Sequence, residues 1–438
     1  MLFVFLSKHS AILTVTDLKS KTELKSQLDR ISNINVRKYL LGEHRMEDVT
    51  SADIIVKNPG VAIMSPYVKK AISLKIPIHS DISLFMEEND APTIGVTGTR
   101  GKSTTSTLLH QILLKKFKGS LLGGNIKVSP LTFLSNIKDD QPVVLELSSW
   151  QLNSLKTIKQ SPEMAIVTNI MVDHLNQYPS FNAYVNDKKL IYKYQRSVDV
   201  LILNKDDKAT RDMAKEAKGS VYWFSMKPLA QFESGVYVNA SKDLIFKEGS
   251  IKVKVLSSSQ IKLKGAHNVY NVMAAVCAGV LSGVTLTQIS SAVKSFKGID
   301  SRLELIRSKG GVDFYNDTTA TTPDATIAAI RSFQKPPILI AGGTDKKLEF
   351  NELANEVNKK IKKLILLPGT ATDTLAHLIN FMKIEVVVVD SMKMAIDEAW
   401  QMSAKGDVVL LSPGAASFGL FKNEFDRGDQ FNRLVKKL

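Results

Sequence analysis

Short apolar runs recur along the chain, and each is followed by a polar or glycine-rich turn and then by a segment with helical spacing of apolar positions. This alternation of strand and helix is typical of α/β folds with mainly parallel sheets. The predicted strands comprise residues 12–16, 53–56, 76–78, 93–96, 142–146, 164–168, 200–203, 312–315, 337–340, 363–367, 384–389 and 408–411. The apolar run at residues 1–6 is predicted to be a further strand, the first of the chain.

Changes in this pattern divide the chain into three predicted domains, at residues 1–91, 92–297 and 298–438. We expect the middle domain to contain a mainly parallel sheet, with a small antiparallel patch within residues 235–263, where Val, Ile and Lys alternate. Ligands of open parallel sheets bind beyond the carboxyl ends of the strands. The turns at those ends are therefore where we expect the binding residues.

The composition is that of a globular protein from a reducing compartment, with 44% hydrophobic residues, 23% charged residues and a single cysteine, Cys277. No apolar run reaches the about 18 residues that a membrane span needs, and no signal sequence is recognisable, so we predict a cytoplasmic protein without membrane insertion. The net charge of +15 is spread along the whole chain. A nucleic-acid partner is therefore not expected, because anionic small molecules or solubility explain such diffuse charge as well.

The segment from Gly98 to Ser103 reads Gly-Thr-Arg-Gly-Lys-Ser and lies between a predicted strand and a predicted helix at residues 104–114. This arrangement binds nucleotide phosphates through backbone N–H groups, the lysine charge and a serine hydroxyl that can ligate Mg²⁺. It predicts a P-loop ATPase type of middle domain. The usual pattern is G-x-x-x-x-G-K-[ST], whereas only two residues separate Gly98 from Gly101. A chance match is the alternative.

Three further side chains are candidates for chemistry. Glu146 ends a predicted strand, where it could complete the ligand shell of a Mg²⁺ held by Ser103, or simply cap the next helix. His174 follows another strand and could ligate a metal or contact substrate, although a lone histidine is more often structural. Lys188 lies on a predicted helix and on its own is indistinguishable from a solvated surface lysine.

The order of motifs along nearly the whole chain resembles that of the Mur ligases, the ATP-dependent amide ligases of peptidoglycan synthesis. The shortened phosphate loop matches that family. The resemblance is carried further by ELSSWQL at 146–152, TNIMVDHL at 168–175, GAHNVYN at 265–271, SRLE at 301–304 and YNDTTAT at 315–321. The C-terminal segments LSPGAAS at 411–417, FKN at 421–423 and DRG at 426–428 are most similar to those of the D-glutamate-adding members.

The resemblance implies an activity, its cofactors and a domain plan. A carboxylate of UDP-N-acetylmuramoyl-L-alanine would be phosphorylated by ATP, and the resulting acyl phosphate would be attacked by the amine of D-glutamate. ATP, two Mg²⁺ ions and a carbamylated lysine at Lys188 are implied, with small-molecule substrates and a monomeric enzyme. The N-terminal and C-terminal domains would both be Rossmann-like.

The resemblance also implies roles for individual residues. Nucleotide contacts are expected from Gly98, Thr99, Arg100, Gly101, Lys102, Ser103, Thr104, Asn271, Arg302 and Asp317. Metal ligation is expected from Ser103, Glu146, His174 and carbamylated Lys188, with Lys102, His174 and Lys188 as the catalytic residues. Contacts to the UDP substrate are expected from Asp17, Asn125 and Ser148, and contacts to D-glutamate from Thr321, Lys346, Ser417 and Phe425. Phe425 stands one place later than the family spacing, where Glu424 now lies.

The start of the chain departs from the family pattern. The N-terminal domain of Mur ligases usually begins with a strand and a glycine-rich turn, whereas no glycine precedes Gly42 here. We therefore expect a truncated N-terminal domain that lacks this first strand and turn. The alternatives to a D-glutamate ligase are another Mur-type ligase, a folylpolyglutamate synthase, which shares the central ATPase, and a truncated non-catalytic paralogue that acts as an interaction module.

Overall fold

The computed structural model describes residues 2–58, 60–61, 64–126, 128–172, 178–345, 348–380, 384–417 and 419–438. The chain divides into two compact units. The N-terminal unit comprises Met1–Gln260 and Tyr270–Lys294, and the C-terminal unit comprises Ile261–Val269 and Ser295–Leu438. The boundaries of the three predicted domains, near residues 91 and 297, stay predictions.

Among its described residues, the N-terminal unit contains thirteen strands and ten helices that precede α11 along the chain. The strands are β1 (Leu13–Asp17), β2 (Val36–Leu41), β3 (Ile55–Val56), β4 (Ile78–His79), β5 (Thr93–Thr97), β6 (Leu121–Gly124), β7 (Val143–Glu146), β8 (Met164–Val167), β9 (Val200–Asn204), β10 (Ser220–Ser225), β11 (Ser234–Val238), β12 (Asp243–Glu248) and β13 (Ile251–Ser257). The helices are α1 (Leu2–Lys8), α2 (Lys25–Asp29), α3 (Met46–Thr50), α4 (Pro66–Ser73), α5 (Asp81–Glu88), α6 (Lys102–Leu113), α7 (Ser149–Asn153), α8 (Leu155–Ile158), α9 (Phe181–Lys193) and α10 (Lys208–Met213). Single 3₁₀ turns lie at Pro130–Thr132, between β6 and β7, at Ala214–Glu216, between α10 and β10, and at Ser258–Gln260, after β13.

A nine-stranded sheet with the order β13-β12-β11-β10-β9-β8-β5-β7-β6 forms the middle of this unit. Its pairs from β6 to β11 are parallel, and β11, β12 and β13 pair antiparallel. The predicted antiparallel patch is thus an extension of the main sheet. Two parallel pairs, β1 with β2 and β3 with β4, precede this sheet along the chain.

The prediction of a strand at residues 1–6 was wrong, because the described part of this run belongs to the helix α1 (Leu2–Lys8). Leu2, Phe5 and Leu6 pack against the core cluster that contains Ile82 and Phe85. Their spacing of three and four residues places them on one helical face, and burying that face favours a helix over a strand.

The helices α11 (Ala266–Leu281) and α12 (Leu286–Ser295) follow, and the division between the two units falls within α11, after Val269. The other elements of the C-terminal unit are β14 (Glu304–Lys309), β15 (Val312–Asn316), α13 (Pro323–Arg331), β16 (Ile338–Gly342), α14 (Asn351–Lys360), β17 (Lys363–Leu367), α15 (Thr370–Leu378), β18 (Glu385–Val388), α16 (Met392–Gln401), β19 (Val408–Leu411) and α17 (Glu424–Lys437).

A six-stranded sheet with the order β14-β15-β19-β16-β17-β18 forms the core of the C-terminal unit. All its pairs are parallel except that of β14, an antiparallel edge strand that the sequence pattern did not reveal. Alternate residues of β16 lie in different core clusters, Leu339 in one and Ile338 and Ile340 in the other. Both faces are therefore covered, as expected for a Rossmann-like sheet.

Within the described residues, no helix combines the length and the apolar character that crossing a bilayer requires.

Candidate active site

The phosphate loop follows β5, a fully buried strand that pairs with β7 on one side and β8 on the other. The loop needs glycine at two positions. Gly98 has φ of +144°, and a Cβ there would lie 1.8 Å from Thr168 Oγ1. Gly101 has φ of +85° and stands directly before α6, the helix that begins at Lys102. These conformations direct the chain from the central strand into the helix N-terminus, which is where a phosphate group is favoured.

Two polar residues that follow β8 hold the loop in place. The side-chain amide of Asn169 donates to Arg100 O at 3.0 Å, and its Oδ1 accepts from Arg100 N at 2.9 Å. Thr168 Oγ1 also donates to Arg100 O, at 2.6 Å. Thr168 and Asn169 belong to the motif that contains His174, but no role was predicted for them from the sequence. The signal was available, since both follow a buried strand adjacent to the one that carries the loop.

Two lysines converge on one carbonyl oxygen of the loop. Lys102 Nζ donates to Gly98 O at 3.0 Å and to Thr99 O at 3.1 Å. Lys188 Nζ donates to the same Gly98 O at 2.8 Å and lies 4.8 Å from the centroid of the Tyr184 ring. Lys188 is only 2% exposed, so it is not the solvated surface lysine that its sequence context would suggest. The structure thus brings Lys102 and Lys188 together.

Glu146, at the end of β7, is 1% exposed and has one unsatisfied oxygen. Asn125 Nδ2 donates to its Oε1 at 2.8 Å, whereas its Oε2 is buried with no hydrogen-bond partner among the described residues. A buried carboxylate oxygen without a donor is destabilising, and a bound cation would satisfy it. This chemistry fits Mg²⁺.

The complete predicted set of metal ligands is not described. His174 lies outside the described residues, and within them no cluster of three or more His, Cys, Asp or Glu could hold a metal ion. Ser103 and Thr104 are half-buried in the first turn of α6, beside the loop.

Asn271 reaches the same loop from α11. Thr105 Oγ1 donates to Asn271 Oδ1 at 3.5 Å, and a Cβ at Gly101 would lie 2.2 Å from that oxygen. The structure therefore brings this predicted nucleotide residue to the start of α6.

The residues predicted for the UDP substrate differ in their surroundings. Asn125 is bonded to Glu146, as described above. Ser148 caps α7, where its Oγ accepts from Gln151 N at 3.3 Å. Asp17 ends β1 and accepts from Lys19 N at 2.8 Å. The last two contacts are ordinary capping and turn interactions, and contact with the UDP substrate stays a prediction for these residues.

A buried carboxylate next to Lys188 escaped the sequence reasoning. Asp187 accepts hydrogen bonds from Asn153 Nδ2 at 2.9 Å, Lys156 Nζ at 2.8 Å and Tyr178 OH at 3.1 Å. Burial raises the pKa of the Tyr178 phenol well above its ordinary value. Asp187 thereby anchors Tyr178 to α7 and α8. The sequence offered one indication of this role, which is that Asp187 stands next to Lys188 on an amphipathic helix.

Tyr178 also connects this cluster to the phosphate loop. Its ring meets that of Tyr184 edge-on at 5.5 Å, and Tyr184 OH hydrogen-bonds with Thr99 Oγ1 at 3.0 Å. Tyr178, at which the described residues resume, is therefore linked to the loop through the ring of Tyr184.

In the C-terminal unit, Asp317 follows β15 and is buried. Burial raises the pKa of its carboxyl to about 7, although hydrogen bonds from Ser412 Oγ at 2.8 Å and Leu303 N at 3.1 Å act in the opposite direction, as does the charge of Arg302. Arg302 itself is exposed. Their predicted contacts to ATP stay predictions.

The residues predicted to bind D-glutamate lie on turns of the C-terminal unit and on α17. Thr321 is half-buried after β15, Ser417 is buried after β19, and Phe425 is half-buried in the first turn of α17. Lys346 lies outside the described residues. The roles of all four stay predictions.

Comparison with known proteins identifies the family. A model described as the Mur ligase middle domain matches residues 96–279, one described as the Mur ligase glutamate ligase domain matches 301–414, and one described as the MurD-like N-terminal domain matches 2–80. The chain belongs to the Mur ligase family. The N-terminal match covers the region that we expected to be incomplete.

Curated relatives of this Mur ligase match over almost their whole length. The chain is 38% identical to the UDP-N-acetylmuramoylalanine–D-glutamate ligase of Roseiflexus sp. (strain RS-1), over 99% of this chain and 94% of that protein. It is 39% identical to the ligase of the same name from Borreliella afzelii (strain PKo), with the same two coverages. Both relatives carry the name of a D-glutamate ligase rather than that of a folylpolyglutamate synthase.

Solved structures support the fold of this Mur ligase. MurF from Acinetobacter baumannii matches with a TM-score of 0.63 at 18% identity, over 97% of this chain and 90% of that chain. UDP-N-acetylmuramate-alanine ligase MurC from Thermotoga maritima matches with a TM-score of 0.61 at 16% identity, over 100% of this chain and 96% of that chain.

Proposed function

We propose that this Mur ligase uses ATP to join D-glutamate to UDP-N-acetylmuramoyl-L-alanine in peptidoglycan biosynthesis. The observation that carries the nucleotide chemistry is the shortened phosphate loop, with Lys102 and Lys188 on Gly98 O. The choice of substrates is supported by the name that the curated relatives carry at 38–39% identity.

Two steps make the amide. A carboxylate oxygen of the UDP substrate attacks the γ-phosphorus of ATP, and ADP leaves. The amine nitrogen of D-glutamate then attacks the carbonyl carbon of the acyl phosphate, phosphate leaves, and the nitrogen loses a proton. The first step joins two anions, so positive charge must offset their repulsion. Lys102 supplies that charge at the loop.

Mur ligases use ATP and Mg²⁺, and the donor set at this loop fits the ion. Glu146, with its unsatisfied Oε2, and Ser103 would hold it. When bound, Mg²⁺ neutralises charge on the phosphate oxygens. A second ion that involves His174 is part of the proposal.

Carbamylation of Lys188 is also proposed. The lysine amine would add to CO₂ and lose a proton, which turns a cation into an oxygen ligand. Burial of Lys188 against the loop and near the Tyr184 ring supports this, because bulk water would not compete for a carbamate there. The test is a ¹³C NMR spectrum in ¹³C-bicarbonate. A carbamate signal that disappears in Lys188→Met is expected, and an identical spectrum of both proteins would contradict it.

The remaining roles follow the same proposal. Asn271, Arg302 and Asp317 would bind ATP, Asp17, Asn125 and Ser148 would contact the UDP substrate, and Thr321, Lys346, Ser417 and Phe425 would contact D-glutamate. We propose a monomeric and cytoplasmic enzyme. Light scattering of the purified protein tests whether the enzyme is monomeric.

The function is tested by phosphate release from ATP. We expect release with Mg²⁺ only when both UDP-N-acetylmuramoyl-L-alanine and D-glutamate are present. Equal turnover with L-lysine or meso-diaminopimelate in place of D-glutamate would overturn the amino-acid assignment. Turnover with a folate substrate would overturn the assignment to peptidoglycan synthesis.

A further inference from the structure

Arg427 is the largest fully buried side chain among the described residues, with 0% exposure. It lies in the second turn of α17, the helix that Asn423 caps by accepting from Phe425 N and Asp426 N. The side chain of arginine stays charged in proteins, and complete burial of such a charge is unusual unless a carboxylate accompanies it. None of the described carboxylates forms an ion pair with Arg427. Burial lowers the pKa of the guanidinium to about 10.

The guanidinium instead binds two separate turns of the C-terminal unit. Its Nε donates to Thr318 Oγ1 at 3.0 Å and its Nη2 to Thr318 O at 2.9 Å, in the turn after β15. Its Nη1 donates to Ala415 O at 3.3 Å, in the turn after β19. One side chain thus connects two strand ends that lie side by side in the sheet.

Other contacts hold α17 close enough for this connection. Thr318 Oγ1 donates to Glu424 O at 2.7 Å. A Cβ at Gly428 would lie 2.6 Å from Thr318 Cγ2, so the helix approaches the turn as closely as a glycine allows. Asn316 Nδ2 donates to Asn432 Oδ1 at 2.8 Å. The turn after β15 is therefore fixed to α17 by several bonds, and Arg427 extends the connection to the turn after β19.

These two turns and the start of α17 carry three of the residues assigned to D-glutamate under the proposed function. Thr321 follows Thr318, Ser417 follows Ala415, and Phe425 precedes Arg427 by two places. We infer that Arg427 is a positioning residue for the D-glutamate site, which sets the spacing of the two turns and gives the site positive potential for a dianionic amino acid. This inference rests on the proposed function.

Two substitutions separate these contributions. Arg427→Lys keeps a charge and loses the forked bonds, and Arg427→Gln keeps some hydrogen bonding and loses the charge. We expect the KM for D-glutamate to rise about tenfold in Arg427→Lys and more in Arg427→Gln, with the KM values for ATP and the UDP substrate within twofold of those of the native enzyme. Thr318→Val removes the Oγ1 that accepts from Arg427 Nε and donates to Glu424 O, and it keeps the carbonyl acceptor of the guanidinium. It should raise the KM for D-glutamate about threefold.

The matched control is Arg331→Lys. Arg331 belongs to the same unit, but its side chain is 60% exposed and pairs with Glu356 at 2.7 Å. We expect no change in any KM. Thermal unfolding of each variant shows which of them are folded at the assay temperature.

The outcomes distinguish the inference from the proposed function. If the native enzyme does not ligate D-glutamate, the proposed function fails. If it does, and folded Arg427→Lys and Thr318→Val keep the native KM for D-glutamate or raise all three KM values equally, the positioning role is overturned. A variant that unfolds early but shows native KM values below its melting temperature would establish a purely structural role and overturn it as well.

Discussion

Both units place binding turns at the carboxyl ends of parallel strands, but they fix those turns by different means. In the N-terminal unit, the neutral side chains of Thr168 and Asn169 hold the phosphate loop at Arg100. In the C-terminal unit, the charged guanidinium of Arg427 holds the turns after β15 and β19.

In the N-terminal unit, different side chains fix the geometry of the binding turn and supply charge to it. In the C-terminal unit, one side chain does both. Neutral side chains hold the phosphate loop at Arg100, whereas Lys102 and Lys188 contact it at Gly98 O. We expect the lysines to change partners when an anion binds while the neutral bonds stay in place. In the C-terminal unit the bond that fixes the geometry also carries the charge, so one substitution changes both. A substitution of one lysine at the phosphate loop should therefore change the charge there and leave the conformation of the loop intact. A substitution of Arg427 should change both the charge and the conformation of the turns after β15 and β19.

The largest effect is expected from Lys188→Met, which removes one of the two lysines on Gly98 O. The value of kcat should fall on the order of 10³-fold, as for the loss of one preorganised electrostatic group, here the oxygen ligand that a carbamate on Lys188 would supply. Lys189→Met is the control, because Lys189 is the next residue and pairs with Glu216 at 2.5 Å. Steady-state kinetics measure both. Equal losses in the two variants would show that the chemistry does not depend on the lysine beside the loop.

Gly98→Ala should reduce kcat/KM for ATP about 100-fold, because the new Cβ would collide with Thr168 Oγ1 and displace the loop. Gly249→Ala provides the comparison. Gly249 also has positive φ, at +58°, but no atom lies within 4 Å of a Cβ built there. An alanine at residue 98 that leaves ATP kinetics intact would mean that the neutral bonds do not hold the loop in the active geometry.

Asp317→Asn should change how stability depends on pH. The pKa of Asp317 is raised to about 7, so the folded protein binds this proton more readily than the unfolded chain, and stability is lost as pH rises toward 7. The free energy of unfolding of Asp317→Asn relative to the native protein should rise by up to about 1.4 kcal/mol per pH unit between pH 5 and 7, and level off above. Urea titrations of the whole protein measure it.

The exposed Asp390 provides the control for this experiment, since Asp390→Asn should track the native protein across the range. A difference between Asp317→Asn and the native protein that stays constant with pH would contradict the expectation that Asp317 ionises in this window.

The smallest effect is expected from Gly428→Ala. Alanine in a helix is favoured over glycine by about 1 kcal/mol, whereas overpacking against Thr318 Cγ2 costs about 1–3 kcal/mol. We expect net destabilisation of about 1 kcal/mol in urea unfolding. Net stabilisation would show that α17 can retreat from the turn, and would weaken the contrast between the two units.

Most strands of both sheets that carry binding turns were predicted from the sequence, because a buried parallel strand is a continuous apolar run. The predicted strands did not include β6, which precedes Asn125, or β10. The prediction failed at residues 1–6, where an apolar run does not distinguish a strand from a helix that buries one face. It also missed β14, whose residues Glu304, Arg307 and Lys309 make it too polar to resemble a buried strand.

The phosphate loop and Glu146 were found from local pattern, and Lys188 only from family resemblance. The residues that hold the turns were not found, because their partners are distant in sequence. Arg427 and Thr318 are 109 residues apart, and Asn169 and Arg100 are 69 apart. A local sequence pattern cannot predict a hydrogen bond between residues so far apart along the chain. His174 and Lys346, which lie outside the described residues, keep their predicted roles as predictions.

The oxygen of Gly98 accepts from two ammonium groups and so uses both of its lone pairs. Both ammonium groups are therefore engaged by the loop itself, and a phosphate group that binds through them has to take the place of Gly98 O. We expect the enthalpy of nucleotide binding to be the difference between these two sets of contacts.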